Sequence, residues 1–333
     1  MRQRIQWIDN TKIFACILVV LGHFFQSMTT SGILPQSALY TWFNRTIYQF
    51  HVPLFFICSG FLYQRYTKVT CFPEWRENAW KKLLALGIPY LFFSVVTWGL
   101  KSEFKGEVNV PVGNLTQTLL VNPISPYWYL YALLFCFLLI PTIQSKGMAV
   151  WIFAASFAAK TVTILGTVEV YGIQIVLSNV IWFVLGTLLA FAKIRITKQK
   201  CTVIGTGGGL LFLASSVMVY VTEIQNGWVL FLSGLLACGS VIVLMYAGEA
   251  KWGSGSFWKR AAGYTMPVFL MHTLCAAPVR QVLFKIGITN AWVHIPAGLI
   301  SSFAGPVLIA ILMRKTKYPE FVMYPGKFLN KKR

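Results

Sequence analysis

Three ionisable side chains, Asp9, Lys12 and His23, lie in the first apolar segment of the chain, WIDNTKIFACILVVLGHF. On a helix, Lys12 and His23 project about 20° apart, and Asp9 falls within about 40° of His23. Such a polar stripe in a lipid-spanning helix faces a bundle interior or a wet cavity and marks a functional site. The helical rise separates Lys12 from His23 by about 16 Å, which places His23 near the middle of a bilayer when Lys12 is at one interface.

His23 is the residue best suited to chemistry. An imidazole can take a proton from a hydroxyl near neutral pH, and it can also carry a transferred group covalently. The structural alternative is a buried histidine bonded to a backbone carbonyl. Lys12 and Asp9 are one turn apart, so they form an interfacial pair, or Lys12 binds an anionic group while Asp9 orients it.

Four residues in later segments are candidates for an acceptor site or for supporting His23. His51 and His272 either approach His23 or make structural hydrogen bonds. Arg280 either anchors its helix at the outer interface or binds a phosphate. Trp128 either belongs to an interfacial aromatic belt or stacks on a sugar.

Other polar and aromatic residues have ordinary structural interpretations. Lys160 is expected to extend to the outer interface as an anchor, with binding of the diphosphate of a lipid-linked sugar as the alternative. His294 is expected to be solvated at the start of a helix. The remaining outer aromatic residues are expected to join the interfacial belt, namely Trp42, Tyr48, Tyr127 and Tyr129.

The composition indicates the class of protein. Of 333 residues, 56% are hydrophobic and only 11% are charged, and the mean hydropathy is +0.64. Repeated apolar runs of about 20 residues predict an all-α, polytopic membrane protein of about ten transmembrane helices. The predicted spans are residues 11–30, 46–65, 83–101, 127–144, 148–166, 172–193, 202–222, 228–248, 262–283 and 292–313.

The basic residues predict the orientation. Most of the 29 Lys and Arg residues fall on the side of the N-terminus, and the opposite side holds only Arg45, Lys101, Lys105 and Lys285. This asymmetry predicts that both termini are cytoplasmic. The net charge of +20 therefore reflects topology and contact with anionic lipids, and no nucleic-acid partner is expected.

The chain is expected to form one membrane domain over residues 1–333. A basic cytoplasmic loop at 66–82, a polar outer loop at 102–126 and a cytoplasmic tail at 314–333, too short to fold alone, complete it. The cysteines have neither metal-ligand spacing nor an outer-loop location, so no metal site or disulfide is predicted. No internal repeat is evident, which disfavours a transporter built from inverted repeats.

Five blocks in order carry a resemblance to a known family: WIDNTKIFACILVVLGH, FHVPLFFICSGFLY, KKLLALGIPYLFFS, SPYWYLYALLF and AAGYTMPVFLMH. They resemble the acyltransferase 3 family of bacterial integral-membrane O-acyltransferases, within its polysaccharide O-acetyltransferase and fucose 4-O-acetylase-like branch. The first block resembles the family pattern of a basic residue, ten intervening residues and a histidine, with Lys12 where arginine is usual. The order and spacing agree over nearly the whole chain.

The resemblance implies an enzyme of the bacterial plasma membrane that moves an acyl group, in particular acetyl, from cytoplasmic acyl-CoA to a hydroxyl of a cell-surface or polyprenyl-linked glycan. His23 would be the base or the acyl relay, supported by Lys12 and Asp9. Arg76, Lys81 and Lys82 in the basic loop would bind the acyl-CoA. The donor is a substrate, and no permanently bound cofactor is expected.

Two further classes of function remain open from the residues alone. A transporter or flippase for a sugar or small anion could use the same charges as a substrate path, without acyl transfer. A structural or sensory protein with a degenerate site would bind no acyl-CoA. The acceptor sugar, the acyl group and the oligomeric state are left undetermined, since a monomer and an oligomer both need an apolar surface toward lipid.

Overall fold

The computed structural model describes residues 4–104, 110–193, 196–249 and 255–329, and every regular element in these ranges is a helix. Arg2, Lys105, Arg195 and Lys251, which contribute to the charge asymmetry, lie outside the described residues. The helices in the first half are α1 (Gln6–Thr30), α2 (Ala38–Ile47), α3 (His51–Tyr66), α4 (Phe72–Lys82), α5 (Ile88–Glu103), α6 (Leu115–Leu120) and α7 (Trp128–Leu139). Those in the second half are α8 (Lys146–Ile164), α9 (Tyr171–Ala192), α10 (Lys198–Val221), α11 (Gly227–Ala247), α12 (Ser256–Lys285), α13 (Ala291–Lys315), α14 (Lys317–Met323) and α15 (Pro325–Leu329).

The predicted polytopic all-α class is confirmed. Within the described ranges, nine helical segments are long and apolar enough to cross a membrane. They are Gln6–Thr30, Ala38–Tyr66, Phe72–Glu103, Lys146–Ile164, Tyr171–Ala192, Lys198–Val221, Gly227–Ala247, Phe257–Lys285 and Ala291–Lys315. Each of these nine segments corresponds to one of the ten predicted spans. The fourth predicted span has no counterpart among them.

The fourth predicted span, 127–144, is a shorter helix followed by extended chain. Helix α7 has 12 residues, about 18 Å of rise, and residues 140–145 continue without helix. Thr142 at this end exchanges hydrogen bonds of 2.9 and 3.1 Å with the backbone of Val69, just beyond α3. Gln64 likewise pairs with the backbone of Ile143 at 2.8 and 2.9 Å. Side-chain bonds therefore join this non-helical segment to the end of α3, and those from Gln64 satisfy the backbone of Ile143 where no helix does.

Two glycines let α3 and α9 pack with their backbones in contact. A Cβ at Gly60 would collide with the carbonyl oxygen of Phe183, and a Cβ at Gly186 would collide with that of Ile57. Membrane helices lack a hydrophobic drive to associate, so close approach through small residues supplies the packing contacts instead. Around this central pair, α1 and α11 pack against α3, and α7 packs against α9.

The predicted basic loop and the predicted start of the second span both differ from the structure. Residues 72–82 of the loop form α4, which continues through a π-helical turn, Leu83–Gly87, into α5. The second span begins as a helix at His51, and α2 precedes it as a separate element. His51 is therefore the first residue of α3.

The C-terminal tail packs against the membrane domain. Met323 is only 1% exposed, and the hydroxyl of Tyr324 donates a 3.1 Å hydrogen bond to the carbonyl of Gly263. That carbonyl lies four residues before Pro267 within α12, so it has no helical N–H partner. The tail tyrosine thus satisfies the backbone group that the proline leaves free, five residues before His272.

Candidate active site

A cavity of about 1000 Å³ lies among the outer ends of α1, α5 and α12 and the segment between α5 and α7. Its wall on α1 extends from Thr30 down to Val19 and includes His23. Eleven residues of helix correspond to about 16 Å of depth. The cavity therefore connects the predicted outer face with the histidine that the sequence singled out.

His23 lies beside two aromatic side chains from other helices. Its ring centroid is 5.3 Å from that of His272 on α12 and 6.4 Å from that of Tyr48, which follows α2. Gly22 permits this approach, because a Cβ there would lie 3.0 Å from Ile47 and 3.3 Å from the Tyr48 ring. A larger residue at position 22 would push the chain before α3 away from His23.

His272 has one occupied and one unoccupied ring nitrogen. Its Nδ1 lies 3.0 Å from the carbonyl oxygens of both Val268 and Phe269. Since a carbonyl only accepts hydrogen bonds, we assign the proton of the neutral ring to Nδ1, which leaves Nε2 unprotonated. His272 is 1% exposed, and its Nε2 is buried without a partner. An N–H of the neighbouring His23 ring is the donor chemically suited to it.

His51 also lines the cavity and is held in the same way. Its Nδ1 lies 2.5 Å from the carbonyl oxygen of Ile47, and the Tyr48 ring meets it edge-on at 4.8 Å. The structure therefore brings both His51 and His272 to the region of His23, although their positions are 28 and 249 residues away along the chain. Both rings also make hydrogen bonds to backbone carbonyls. Each histidine therefore lies in the region of His23 and also makes a structural hydrogen bond.

Arg280 completes one side of the cavity. It is 6% exposed, and its guanidinium donates to the hydroxyl and carbonyl of Ser27, one turn beyond His23 on α1. Lys101 and Lys285 line the same cavity, whose wall contains no aspartate or glutamate among the described residues. From the sequence, these two lysines are expected only to be charges on the outer side. Their presence on the side that usually lacks basic residues was the available signal.

The aromatic belt interpretation is wrong for two residues. Tyr127 is fully buried, and its hydroxyl donates to the carbonyl of Leu270 at 3.0 Å and pairs with Thr97 at 3.0 Å. Tyr129 is also buried in the core. Trp128, between them, lines the cavity. The start of α7 is thus fastened to α12 two residues before His272.

The predicted catalytic partners of His23 on α1 lie apart from it. The half-buried Asp9 carboxylate interacts electrostatically with Arg4 and Lys12, and Lys12 also lies near Cys58. Neither Asp9 nor Lys12 lines the cavity. Between them and His23, α1 contributes closely packed buried residues, namely Ala15, Cys16, Val19 and Val20.

The three predicted donor-binding residues point in different directions. On α4, Lys81 and Lys82 project about 140° and 120° from Arg76, to opposite sides. Lys81 is exposed in a 2.7 Å ion pair with Glu77. Lys82 turns inward, with its Nζ 3.7 Å from the centroid of the Phe137 ring on α7. They do not form a single patch on this helix.

Two predictions for individual residues differ from the structure. His294, expected to be solvated, is 1% exposed, and its Nε2 lies 2.8 Å from the carbonyl oxygen of Ile288. Lys160, expected to be an interfacial anchor, lines a second cavity. Among the described residues, no group of three or more His, Cys, Asp or Glu is arranged to hold a metal ion.

Known proteins share this chain's sequence pattern. The family model for an acyltransferase domain matches residues 5–311. Nodulation protein NolL of Mesorhizobium japonicum is 29% identical over 155 residues, which is 45% of this chain and 39% of that relative. This similarity therefore covers less than half of either protein. No solved structure matches the chain.

Proposed function

The chain belongs to this acyltransferase family and is a multi-pass membrane protein, and from that premise we propose that it is an O-acyltransferase with His23 at its reacting centre. The donor is a cytoplasmic acyl-CoA, in particular acetyl-CoA. The acceptor is a hydroxyl of a cell-surface or polyprenyl-linked glycan. The named relative is bacterial, and we assign this protein to a bacterial plasma membrane.

The observation that supports this proposal best is the pairing of His23 with His272 at the inner end of the outer cavity. His23 is partly exposed to the cavity, whereas His272 is buried, with an unprotonated Nε2 that lacks a partner. With one nitrogen, His23 takes the proton of the acceptor hydroxyl. With the other, it donates an N–H to His272, which stabilises the imidazolium as it forms. His272 is thus a positioning residue.

In the chemical step, one proton moves from the acceptor hydroxyl to His23 and then to the departing CoA thiolate. The acceptor oxygen attacks the thioester carbonyl carbon as its proton passes to His23. The tetrahedral intermediate then expels the CoA thiolate, which recovers that proton and leaves as the free thiol. In the relay form, the unprotonated nitrogen of His23 attacks the thioester carbonyl and displaces the CoA thiolate, which takes the ring N–H proton and leaves as the thiol. The acceptor hydroxyl then attacks the acyl-imidazole, the acyl group passes to its oxygen, and its proton returns to His23.

The donor must approach from the opposite side to the cavity. Lys12 and Lys82 are the cations that we assign to its phosphates, with Asp9 orienting Lys12. The closely packed layer around Ala15 and Cys16 separates Lys12 from His23, so this layer must open when the donor binds. Opening of this kind is a common conformational step in enzymes that exclude water from a reactive intermediate.

The test is label transfer from radiolabelled acetyl-CoA to a crude lipid-linked glycan extract by the purified protein in liposomes. Wild type should label the glycan and release CoA, and His23→Ala should do neither. His294→Gln changes another buried histidine, which does not line the cavity, and should retain activity. Transfer that persists in His23→Ala would refute the role of His23. Substrate movement across the liposome without CoA release would favour the transporter alternative.

A further inference from the structure

A second cavity, of about 690 Å³, adjoins the first one. It lies among the chain between α2 and α3 and the helices α8, α9 and α11. The two cavities share four lining residues: Tyr48, Val52, Trp128 and Tyr171. Since the Tyr48 ring is also 6.4 Å from that of His23, a ligand reaching past this wall would have one end close to the reacting centre.

The lining of the second cavity has the chemistry of a site for a charged sugar. Arg45 and Lys160 are its charged residues, and no aspartate or glutamate is among the described residues that line it. Aromatic rings stack on the apolar faces of sugars, and carboxamides bond to their hydroxyls. The carboxamides in the wall belong to Gln49, Gln174, Asn179 and Gln225, and the rings include Trp128 and Trp182. The Gln49 Oε1 is buried without a partner, so it can accept from a ligand hydroxyl.

The surroundings of the Lys160 ammonium favour an anionic ligand in this cavity. The Lys160 Nζ donates a 3.3 Å hydrogen bond to the carbonyl of Ser178 on α9 and lies 5.6 Å from the centroid of the Phe231 ring. Both partners are uncharged, and no aspartate or glutamate among the described residues of the wall neutralises the ammonium. A half-buried cation of this kind gains most from an anionic ligand, because charge-assisted hydrogen bonds are about twice as strong as neutral ones.

We propose that this second cavity binds a negatively charged group of the acceptor through Lys160 and Arg45, while the hydroxyl to be acylated lies at His23 in the first cavity. This inference rests on the proposed function and adds that the acceptor is anionic and extends beyond the sugar that is acylated. The charge belongs either to a carboxylate on the neighbouring sugar or to the diphosphate of a lipid-linked precursor. Arg45 is exposed at the entrance, whereas Lys160 lies deeper, which suits a ligand entering from the outer face.

The experiment measures calorimetric binding of three probes to the purified full-length protein. The probes are a disaccharide methyl glycoside containing glucuronic acid, its carboxyl-reduced neutral counterpart, and the neutral disaccharide carried on a polyprenyl diphosphate. Wild type should bind a charged probe at least about tenfold more tightly than the neutral one. Preference for the first charged probe assigns the anion to the glycan, and preference for the diphosphate probe assigns it to the lipid carrier.

Substitutions then connect the preference to the cavity. Lys160→Met should abolish the preference for the charged probe. Arg45→Gln, at an exposed position where folding is not at risk, should weaken that preference. Lys146→Met removes the same charge from the exposed cytoplasmic end of α8, about 21 Å away along the helix, and should leave it unchanged. Equal binding of all three probes by wild type, or a preference that survives both cavity substitutions in folded protein, would overturn the inference. Charge-dependent binding without any acyl transfer would refute the proposed function and leave this site standing.

Discussion

Two substitutions at His272 separate the roles of its two ring nitrogens. A glutamine ends near the ε edge of the imidazole, so its carbonyl oxygen can accept a hydrogen bond from His23 as Nε2 does. An asparagine is one carbon shorter and ends near the δ edge, where it can donate to the carbonyls of Val268 and Phe269 but cannot extend to His23. His272→Gln thus keeps the catalytic contact, and His272→Asn keeps the structural one.

The expected loss follows from the hydrogen bond that forms as His23 becomes charged. A hydrogen bond to a charged group contributes about 1.5–3 kcal/mol net, and each 1.36 kcal/mol in the barrier changes a rate about tenfold. His272→Asn should therefore lower kcat by about ten- to a hundredfold, whereas His272→Gln should stay within severalfold of wild type. The KM for acetyl-CoA should not change in either variant, since His272 touches no part of the donor in this mechanism.

The assay is the initial rate of label transfer from acetyl-CoA in liposomes over a range of donor concentrations. Size-exclusion chromatography and thermal unfolding of each variant measure folding separately from catalysis. If His272→Asn retained activity and His272→Gln lost it, the carbonyl-bound Nδ1 would be the important nitrogen and His272 would be structural. Full activity in both variants would equally refute a positioning role.

Two further predictions concern packing and donor binding. Gly60→Ala should lower the free energy of unfolding by about 1–3 kcal/mol or more, because the added Cβ meets the α9 backbone. Gly207→Ala is the control and should not lower it, because nothing lies within 4 Å of the added Cβ. Equal thermal midpoints for the two variants would contradict the backbone contact. Lys82→Met should raise the KM for acetyl-CoA about tenfold through loss of a phosphate contact. Lys81→Met should change this KM little, because the exposed Lys81 side chain is paired with Glu77. A larger rise in KM for Lys81→Met than for Lys82→Met in initial-rate measurements would move the donor site to the other face of α4.

Hydropathy predicted most of the fold because the bilayer itself imposes it. A spanning segment needs about 20 apolar residues and must satisfy its backbone internally, so each helix is encoded locally. The fourth span shows the limit of this reasoning. Its backbone after Leu139 is bonded at Ile143 by the side chain of Gln64 on α3, and a side-chain partner from a distant helix leaves no mark in a hydropathy window.

The candidate site was only partly predictable. His23 was identified because an imidazole inside an apolar helix is costly and therefore unusual. Trp128, His51, His272 and Arg280 were recognised as candidates, but their alternatives could not be separated. The sequence favours an anchor over diphosphate binding for Lys160 but does not decide between them, since a lysine in the outer half of a span looks the same whether it extends to lipid headgroups or into a cavity.

The sequence by itself determined most of the helices, the class of protein, the family and the histidine that we propose for the reacting centre. These depend on properties local to a segment: its transfer free energy into lipid, the order of its motifs and the cost of one ionisable group. Only the tertiary structure decided that His272 meets His23, that His294 and Tyr127 are buried, and that two cationic cavities share a wall. Those arrangements depend on which helix faces which. Close contacts, such as that of Gly60 in α3 with the α9 backbone and that of Gly22 with Tyr48, select the faces through packing that no single segment encodes.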